Sequence, residues 1–468
     1  MVNDNFALSS SSVSDTAITL KGNSSSSFGI YLGTSVSNKN ALIQSTSTTD
    51  NKGDILIEGS TSTGEIGVGL DFWGSNSKIQ ILAGKGDITL NSKGHESRTF
   101  YTSTDLYIGQ RANETAINSV IPTPEIFDGN INILSEGGIY AGTGSTGLWT
   151  LKSGNVDNNG GDITIAADTN NSDGGFIYFS SGLEARSFGG DITIGGGDSL
   201  ASGFAVGTTF NTSTGNGVRI DGNLILDSSG NTLDTGGDIS IRGKGYASNW
   251  GAYQLNGVFK NQGSTDINSG TGKINIHGIT STTQSDATSV GVYITGGTNH
   301  YFTSSNINSD AITIVGDSSQ SQSTASEGVI FRDSSGQFEI VASGSGGGVS
   351  ITAKGGANDD TVIQFNDPVY VLAKDGDVEI KAESSNEFGR LYTDAGGSII
   401  LGYTAAENTH YDVTSSSSNI SISSTGSIYK EGLLTANTDG GDFIMASDLG
   451  SNDSGTINLR GGLDVNTN

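Results

Sequence analysis

Gly160-Gly161-Asp162-Ile163-Thr164-Ile165 is repeated almost at once as Gly189-Gly190-Asp191-Ile192-Thr193-Ile194. Glycine relieves the backbone at a sharp corner. An Asp after it can hydrogen-bond its own backbone two residues on and fix the turn. The apolar–polar–apolar run then puts Ile163 and Ile165 on one face of a strand and Thr164 on the other. Two isoleucines make no core alone. They become a core only when the next copy stacks on them, which is the logic of a repeat protein.

Looser copies run through the chain. They are Gly53-Asp54-Ile55-Leu56-Ile57, Gly86-Asp87-Ile88-Thr89-Leu90, Gly129-Asn130-Ile131-Asn132-Ile133, Gly237-Asp238-Ile239-Ser240-Ile241, Gly272-Lys273-Ile274-Asn275-Ile276, Gly376-Asp377-Val378-Glu379-Ile380, Gly441-Asp442-Phe443-Ile444-Met445 and Gly455-Thr456-Ile457-Asn458-Leu459. Other short apolar strands lie between them, such as Lys78-Ile79-Gln80-Ile81, Phe176-Ile177-Tyr178-Phe179, Leu224-Ile225-Leu226 and Val369-Tyr370-Val371-Leu372. Each turn of the chain therefore uses two or three strands. No window carries helical periodicity without a Gly, Ser or Thr cluster breaking it. The fold class expected is all-β: a parallel β-helix, or β-solenoid, with irregular loop insertions.

Late landmarks are closely spaced: Asp377 to Ser398 is 21 residues, Ser398 to Asn419 is 21, and Asn419 to Asp442 is 23. If these are single coils, the coil is about 22 residues, and stacking at about 4.8 Å gives roughly 20 coils and a rod of about 100 Å. Asp54 to Asp87 then reads as one coil with a long loop, and the wider gap from Asp191 to Asp238 as two coils. The domain expectation is one elongated solenoid over 1–468 with an inserted loop at 111–128. That loop holds Pro122 and Pro124, two of the 3 prolines, and proline cannot donate to a sheet ladder.

Composition narrows the partners. The chain has 468 residues, 71 of them glycine, and a net charge of −27. Such an acidic surface repels nucleic acid and anionic lipid. Its first use is solubility over a long exposed surface, and divalent-cation binding is the sharper alternative. The chain has no cysteine, so it has no disulfide framework and no thiolate metal site. No apolar run approaches the roughly 18 residues of a membrane helix. Met1 to Leu20 has neither the basic region nor the apolar core of a secretory signal. The chain is thus expected to be intracellular or a mature or excised piece of a larger protein.

Chemical motifs compete with the repeat and mostly lose to it. Gly142-Thr143-Gly144-Ser145-Thr146-Gly147 matches a dinucleotide fingerprint, but a strand-like Leu148-Trp149-Thr150-Leu151 follows where a helix is needed. Gly355-Gly356-Ala357-Asn358-Asp359-Asp360-Thr361-Val362 resembles one copy of a calcium-binding nonapeptide, with Asp359 and Asp360 as candidate metal ligands. A single copy lacks the neighbouring coils from which calcium ladders draw ligands. Lys52-Gly53-Asp54 and Lys85-Gly86-Asp87 resemble receptor-binding tripeptides but coincide with corners. His95, His277, His300 and His410 have no metal-ligand spacing. The acidic stretch with Asp359, Asp360, Asp375, Asp377 and Glu379 could line a polysaccharide-cleaving face. Corner chemistry already accounts for its aspartates, so no carboxylate pair is assigned a catalytic role. Phe72-Trp73, Tyr101, Tyr107, Trp149, Tyr178, Tyr246, Trp250, Tyr253, Tyr293 and Tyr301 are expected to stack in ladders or cover corners more than to bind sugar. Thr89, Thr164, Thr193 and Thr313 hold the outward slot of the repeat, but Leu56, Asn132, Ser240 and Glu379 break any flat threonine face.

The GGDITI unit, with Asn130-Ile131-Asn132-Ile133-Leu134 and Gly137-Gly138-Ile139-Tyr140-Ala141, resembles the repeats of filamentous-haemagglutinin-like adhesins of the two-partner secretion pathway. The resemblance covers most of the chain. It implies a right-handed parallel β-helix, an extracellular or cell-surface location, and a role in attachment or as a stalk. The N-P-N-G-type motif of that family's secretion domain is absent, which implies that Met1 is not the family's natural start or that the export route differs. The function expected is a non-enzymatic structural or adhesive element without a cofactor. Two alternatives stand beside it. One is a filament subunit stacking on copies of itself, because strand units lie close to both termini. The other is a β-helix that binds or cleaves extracellular polysaccharide.

Overall fold

The computed structural model describes residues 6–25, 28–34, 40–62, 66–72, 77–94, 100–109, 127–142, 148–154, 160–171, 174–208, 215–230, 235–246, 255–281, 289–322, 326–332, 336–356, 361–384, 391–393, 399–402, 418–449 and 455–467. Among these residues there is no helix. Contacts group the chain into two units: 1–206 with 220–237, and 207–219 with 238–468. Each unit is a parallel β-solenoid in which the chain visits three sheets in turn.

One coil of the first unit shows the path. Lys78–Leu82 lies in the first sheet, Ile88–Lys93 in the second and Phe100–Thr102 in the third; Asp105–Ile108 then pairs in parallel with Lys78–Leu82. The repeat unit occupies the second sheet. Ile55, Ile88, Ile131, Ile163 and Ile192 align in register there, as do Ile57, Leu90, Ile133, Ile165 and Ile194. All ten are fully buried. In the second unit the matching columns are Ile239–Ile274–Ile312–Val349–Val378–Ile420–Phe443 and Ile241–Ile276–Ile314–Ile351–Ile380–Ile422–Met445. Each buried aliphatic side chain contributes about 1.5–3 kcal/mol, and it does so only because the coils before and after it present the same slot.

The coils are longer than the late spacing suggests. Successive corner residues are separated by 33, 43, 32 and 29 residues in the first unit and by 35, 42 and 23 at three steps in the second. Val378 pairs with Ile420, so Asp377 to Asn419 is one coil. Ser398 precedes Ile399–Gly402, a strand of the first sheet; the two 21-residue steps run from face to face. Only the 23-residue step is a whole coil. Leu224-Ile225-Leu226 likewise lies on the first sheet, beside Leu183-Glu184-Ala185, and marks no extra coil. The second sheet has six principal strands in the first unit and seven in the second among the described residues, in place of the roughly 20 coils expected from a 22-residue period. Gly455-Thr456-Ile457-Asn458-Leu459 is a third-sheet strand, paired with Ile428–Lys430.

Glycine is needed where backbones nearly touch. A Cβ on Gly190 would lie 2.4 Å from the Gly161 carbonyl oxygen of the preceding coil. Gly278 sits where the second sheet hands over to the third, and a Cβ there would lie 1.8 Å from the Gly291 carbonyl oxygen.

Candidate functional site

The GGD corner carries a column of polar side chains whose hydrogen bonds run between coils. The Asp87 backbone N–H donates to Asp54 Oδ1 at 2.9 Å, Asn130 N–H to Asp87 Oδ1 at 2.8 Å, Asp162 N–H to Asn130 Oδ1 at 2.8 Å and Asp191 N–H to Asp162 Oδ1 at 2.9 Å. Each corner carboxylate or amide thus accepts the N–H of the same corner one coil later. The expected bond to its own backbone two residues on is replaced by this ladder. In the second unit Asp238 Oδ1 takes the Lys273 N–H at 2.7 Å, Asp377 Oδ1 the Asn419 N–H at 3.2 Å, and Asn419 Oδ1 the Asp442 N–H at 2.9 Å. Buried hydroxyls line the inner side of the corner: Ser153 donates to the Gly129 carbonyl, Ser228 to Gly237 and Ser269 to Gly272.

Stacking carboxylates places like charges one strand spacing apart. Burial pushes the Asp54 carboxyl above its ordinary value; the Asp87 and Asp15 charges add to this, against the Asp87 N–H and Lys52. Lysines offset the charge: Lys52 pairs with Asp15, and Lys85 Nζ lies 2.6 Å from Asp50 and 3.6 Å from Asp128. Both Lys-Gly-Asp tripeptides are therefore consumed by corner chemistry.

The remaining described carboxylates have separate partners. Asp377 serves the ladder, Asp375 accepts from Ser345 Oγ at 2.9 Å, and Glu379 accepts from Ser350 Oγ at 3.3 Å. Register sets Glu379 between Ser350 and Ser421, so neither adjacent coil brings a second carboxylate to its slot. Asp359 and Asp360, His95 and His410, Thr143 to Gly147, Trp73, Trp250 and Tyr253, and Arg111 to Ile126 of the expected loop lie outside the described residues. Among the described residues no group of three or more His, Asp or Glu side chains could hold a metal ion. After Gly142 the next strand is Trp149–Lys152, which supplies no helix N-terminus for a phosphate.

His277 faces outward in register with Arg242 and Val315. Burial lowers its pKa, with Asp317 acting against the shift. His300 points inward and is fully buried. Its Nε2 lies 3.1 Å from the Gly296 carbonyl and its Nδ1 2.9 Å from Thr265 Oγ1. A carbonyl only accepts, so Nε2 carries the proton and Nδ1 accepts from the threonine. Burial first, then the Lys260 charge, brings the His300 pKa down to about 3. Lys260 also points inward, onto the Gln262 and Gly263 carbonyls. Lys430 occupies the same inward column, and burial lowers it to about 8. His300 is held neutral and Lys260 is capped by two carbonyls, both inside an apolar stack.

Aromatics form ladders. Trp149 is in the core between Phe100 and Phe179, at 5.6 and 5.1 Å. Tyr101, Tyr140 and Tyr178 align in register on the outer face of the third sheet, and the Tyr178 hydroxyl donates to Asp221 at 2.9 Å. In the second unit Phe259–Tyr293 and Tyr392–Tyr429 stack on that same face, at 5.1 and 5.6 Å, with Arg460 over Tyr429. Tyr101 and Tyr140 lie 20° from parallel, and Tyr392 and Tyr429 10°. Rings stacked in this way spend their faces on each other and leave edges for a sugar. The triplets Ile139-Tyr140-Ala141, Ile177-Tyr178-Phe179 and Ile428-Tyr429-Lys430 carry the signal for this column.

Comparison with protein-family models, with curated proteins and with solved structures finds no match.

Proposed function

We propose that this chain is a non-enzymatic structural β-solenoid of the filamentous-haemagglutinin-like kind, working outside the cell as a stalk or surface-display element with an adhesive role. The corner ladder is the observation that carries the reading. The corner Asp and Asn residues bind coil to coil, and Asp377 of the acidic stretch is one of them. Strands keep their register while the coil is 23 residues at one step and 43 at another, which puts sequence freedom between the strands. A scaffold that displays variable segments has this division. Polysaccharide binding is the weaker alternative, because the aromatic ladders use their own ring faces.

Antibody labelling of intact cells that make the chain, with and without external protease, tests location. Beads coated with the chain and presented to cells and to a polysaccharide array test attachment. Protease-sensitive labelling and bead retention are expected. Labelling only after cell lysis overturns the surface role, and soluble oligosaccharide released from the array overturns the non-enzymatic one.

A further inference from the structure

We infer that Asn256-Gly257 is a gated deamidation site, kept intact by the coil that follows it and converted irreversibly when that coil opens. Asn216-Gly217 and Asn256-Gly257 stand at the same place in successive coils of the second unit, just before the third-sheet strands Val218–Asp221 and Val258–Asn261. Asn216 is 1% exposed and Asn256 0%. The Asn256 backbone N–H and Nδ2 both donate to Asn216 Oδ1, each at 2.9 Å, and the Val290 N–H of the next coil donates to Asn256 Oδ1 at 3.2 Å. A backbone N–H only donates, so these bonds fix which end of each side-chain amide is oxygen. The Gly217 N–H donates to the Asn256 carbonyl and the Gly257 N–H to the Val290 carbonyl, each at 3.0 Å.

An asparagine followed by glycine deamidates because no side chain shields the glycine nitrogen. That nitrogen attacks the asparagine Cγ. The Cγ–Nδ2 bond breaks, and ammonia leaves with the glycine amide proton. Water then opens the cyclic imide at either carbonyl, giving aspartate or isoaspartate. In the folded chain each participant at Asn256 is engaged: the Gly257 N–H is bonded to Val290, Nδ2 is bonded to Asn216, and the side chain is closed to water. The reaction therefore waits for local opening. Glycine cannot be exchanged for a protecting residue, because a Cβ on Gly257 would lie 2.4 Å from the Ile279 nitrogen. The handover between sheets demands the residue that makes its neighbour labile. Closure after the reaction is blocked. A carboxylate at position 256 still accepts from Val290, but its second oxygen meets Asn216 Oδ1, acceptor against acceptor, with a charge buried. Isoaspartate adds an atom to the main chain and shifts the strand. Asn216 differs, because its Oδ1 supplies an acceptor, which a carboxylate retains. Asn256 is the sensitive member of the pair, wherever the chain works.

Peptide mapping by mass spectrometry of the purified 468-residue chain, aged at mildly alkaline pH both folded and in guanidinium, tests the gate. Deamidation at Asn256 is expected to be at least about tenfold slower in the folded chain, since its rate then tracks the open population. Equal rates in the two conditions overturn the gate. Asn256→Asp reproduces one product and tests the irreversible step. It is expected to speed backbone hydrogen exchange in Val258–Asn261 and Ser289–Thr295 at least about tenfold, with a smaller change in Asn216→Asp. Failure of Asn256→Asp to fold, with Asn216→Asp folded, is the extreme of the same result. Unchanged exchange in Asn256→Asp overturns the block to closure. An equal effect of the two substitutions overturns the assignment to Asn256.

Discussion

In the first unit the corner side chains run unbroken from Asp54 through Asp87, Asn130 and Asp162 to Asp191. In the second unit the same column stops at Lys273 and resumes at Asp377. The interiors differ as well. The first unit packs Phe100, Trp149 and Phe179 together in the core. The second builds a stack of Phe365, Phe331 and Phe338 that ends on His300, and Lys260 and Lys430 stand in the same register column as Phe331 and Phe365. Each coil must satisfy only its two neighbours. A solenoid can therefore exchange surface stitches for buried polar groups locally without changing its path. The exchange has a consequence: stability in the second unit depends on pH through residues in its core.

His300 gives the largest expected effect. Its folded pKa of about 3 lies below the ordinary 6.5. The folded state then holds the neutral ring while the unfolded chain takes up a proton. Stability from this residue is complete above pH 6.5 and falls as pH drops toward 3. Each pH unit in that window is worth about 1.4 kcal/mol, so the full loss is of order 5 kcal/mol. Hydrogen exchange of the strands Asn299–Ser304 and Gln337–Ala342 should accelerate between pH 6.5 and 4 after correction for intrinsic rates. His300→Phe extends the stack on Phe338, at 4.5 Å from the imidazole in the native chain, and should flatten that dependence. An equal pH response in the variant would assign the acid sensitivity elsewhere.

Lys430 should come next. Its folded pKa of about 8 lies below 10.5, so the buried charge opposes folding at neutral pH, and stability rises as pH increases from 8 to 10.5. Lys430→Met keeps the chain length of the inward slot and removes the charge. It should stabilise its coil at pH 7 by about 1–3 kcal/mol and abolish the rise above pH 8. Urea unfolding at pH 7 and pH 10 checks both. A destabilised variant at pH 7 would mean that the polar contacts of Lys430 outweigh its desolvation.

The second sheet was the legible part of the fold, because Gly, Asx and alternating Ile coincide in one short stretch. The third sheet was harder to read: its strands can be three residues long, as in Phe100–Thr102 and Ile139–Ala141. Coil length is harder to read, because Ile399–Gly402 of the first sheet follows the second-sheet corner at Asp377 at a spacing that imitates a period. The ladder was invisible for a different reason. Local turn chemistry predicts a bond two residues away, while the actual partner of Asp87 is 43 residues on. Lys260 and Lys430 stand in inward slots of a degenerate pattern, and without register nothing in the sequence separates an inward lysine from an outward one. The candidate chemistry was legible mainly as corner chemistry, which the hydrogen bonds of Asp54, Asp87 and Asp377 support.

The corner itself should give the smallest effects, and there the two units should part. Asp162→Ala leaves the Asp191 N–H without its acceptor and should cost about 1 kcal/mol. Asp162→Asn keeps an acceptor and removes a charge stacked against Asp191, so it should be neutral or slightly stabilising at pH 7. The same repair should fail in the second unit. Lys273→Asn supplies a forward acceptor, but the Ala311 N–H of the next coil already donates to the Asn308 carbonyl at 3.1 Å. The substitution also deletes the Lys273–Asp310 pair at 2.7 Å, an exposed contact worth about 0.2–1 kcal/mol. Lys273→Asn should therefore be destabilising by no more than that amount, read as a small downward shift of the urea midpoint. A gain in stability would mean that the Ala311 amide can leave Asn308, and that the ladder stops at Lys273 for want of a side chain and not for want of a donor.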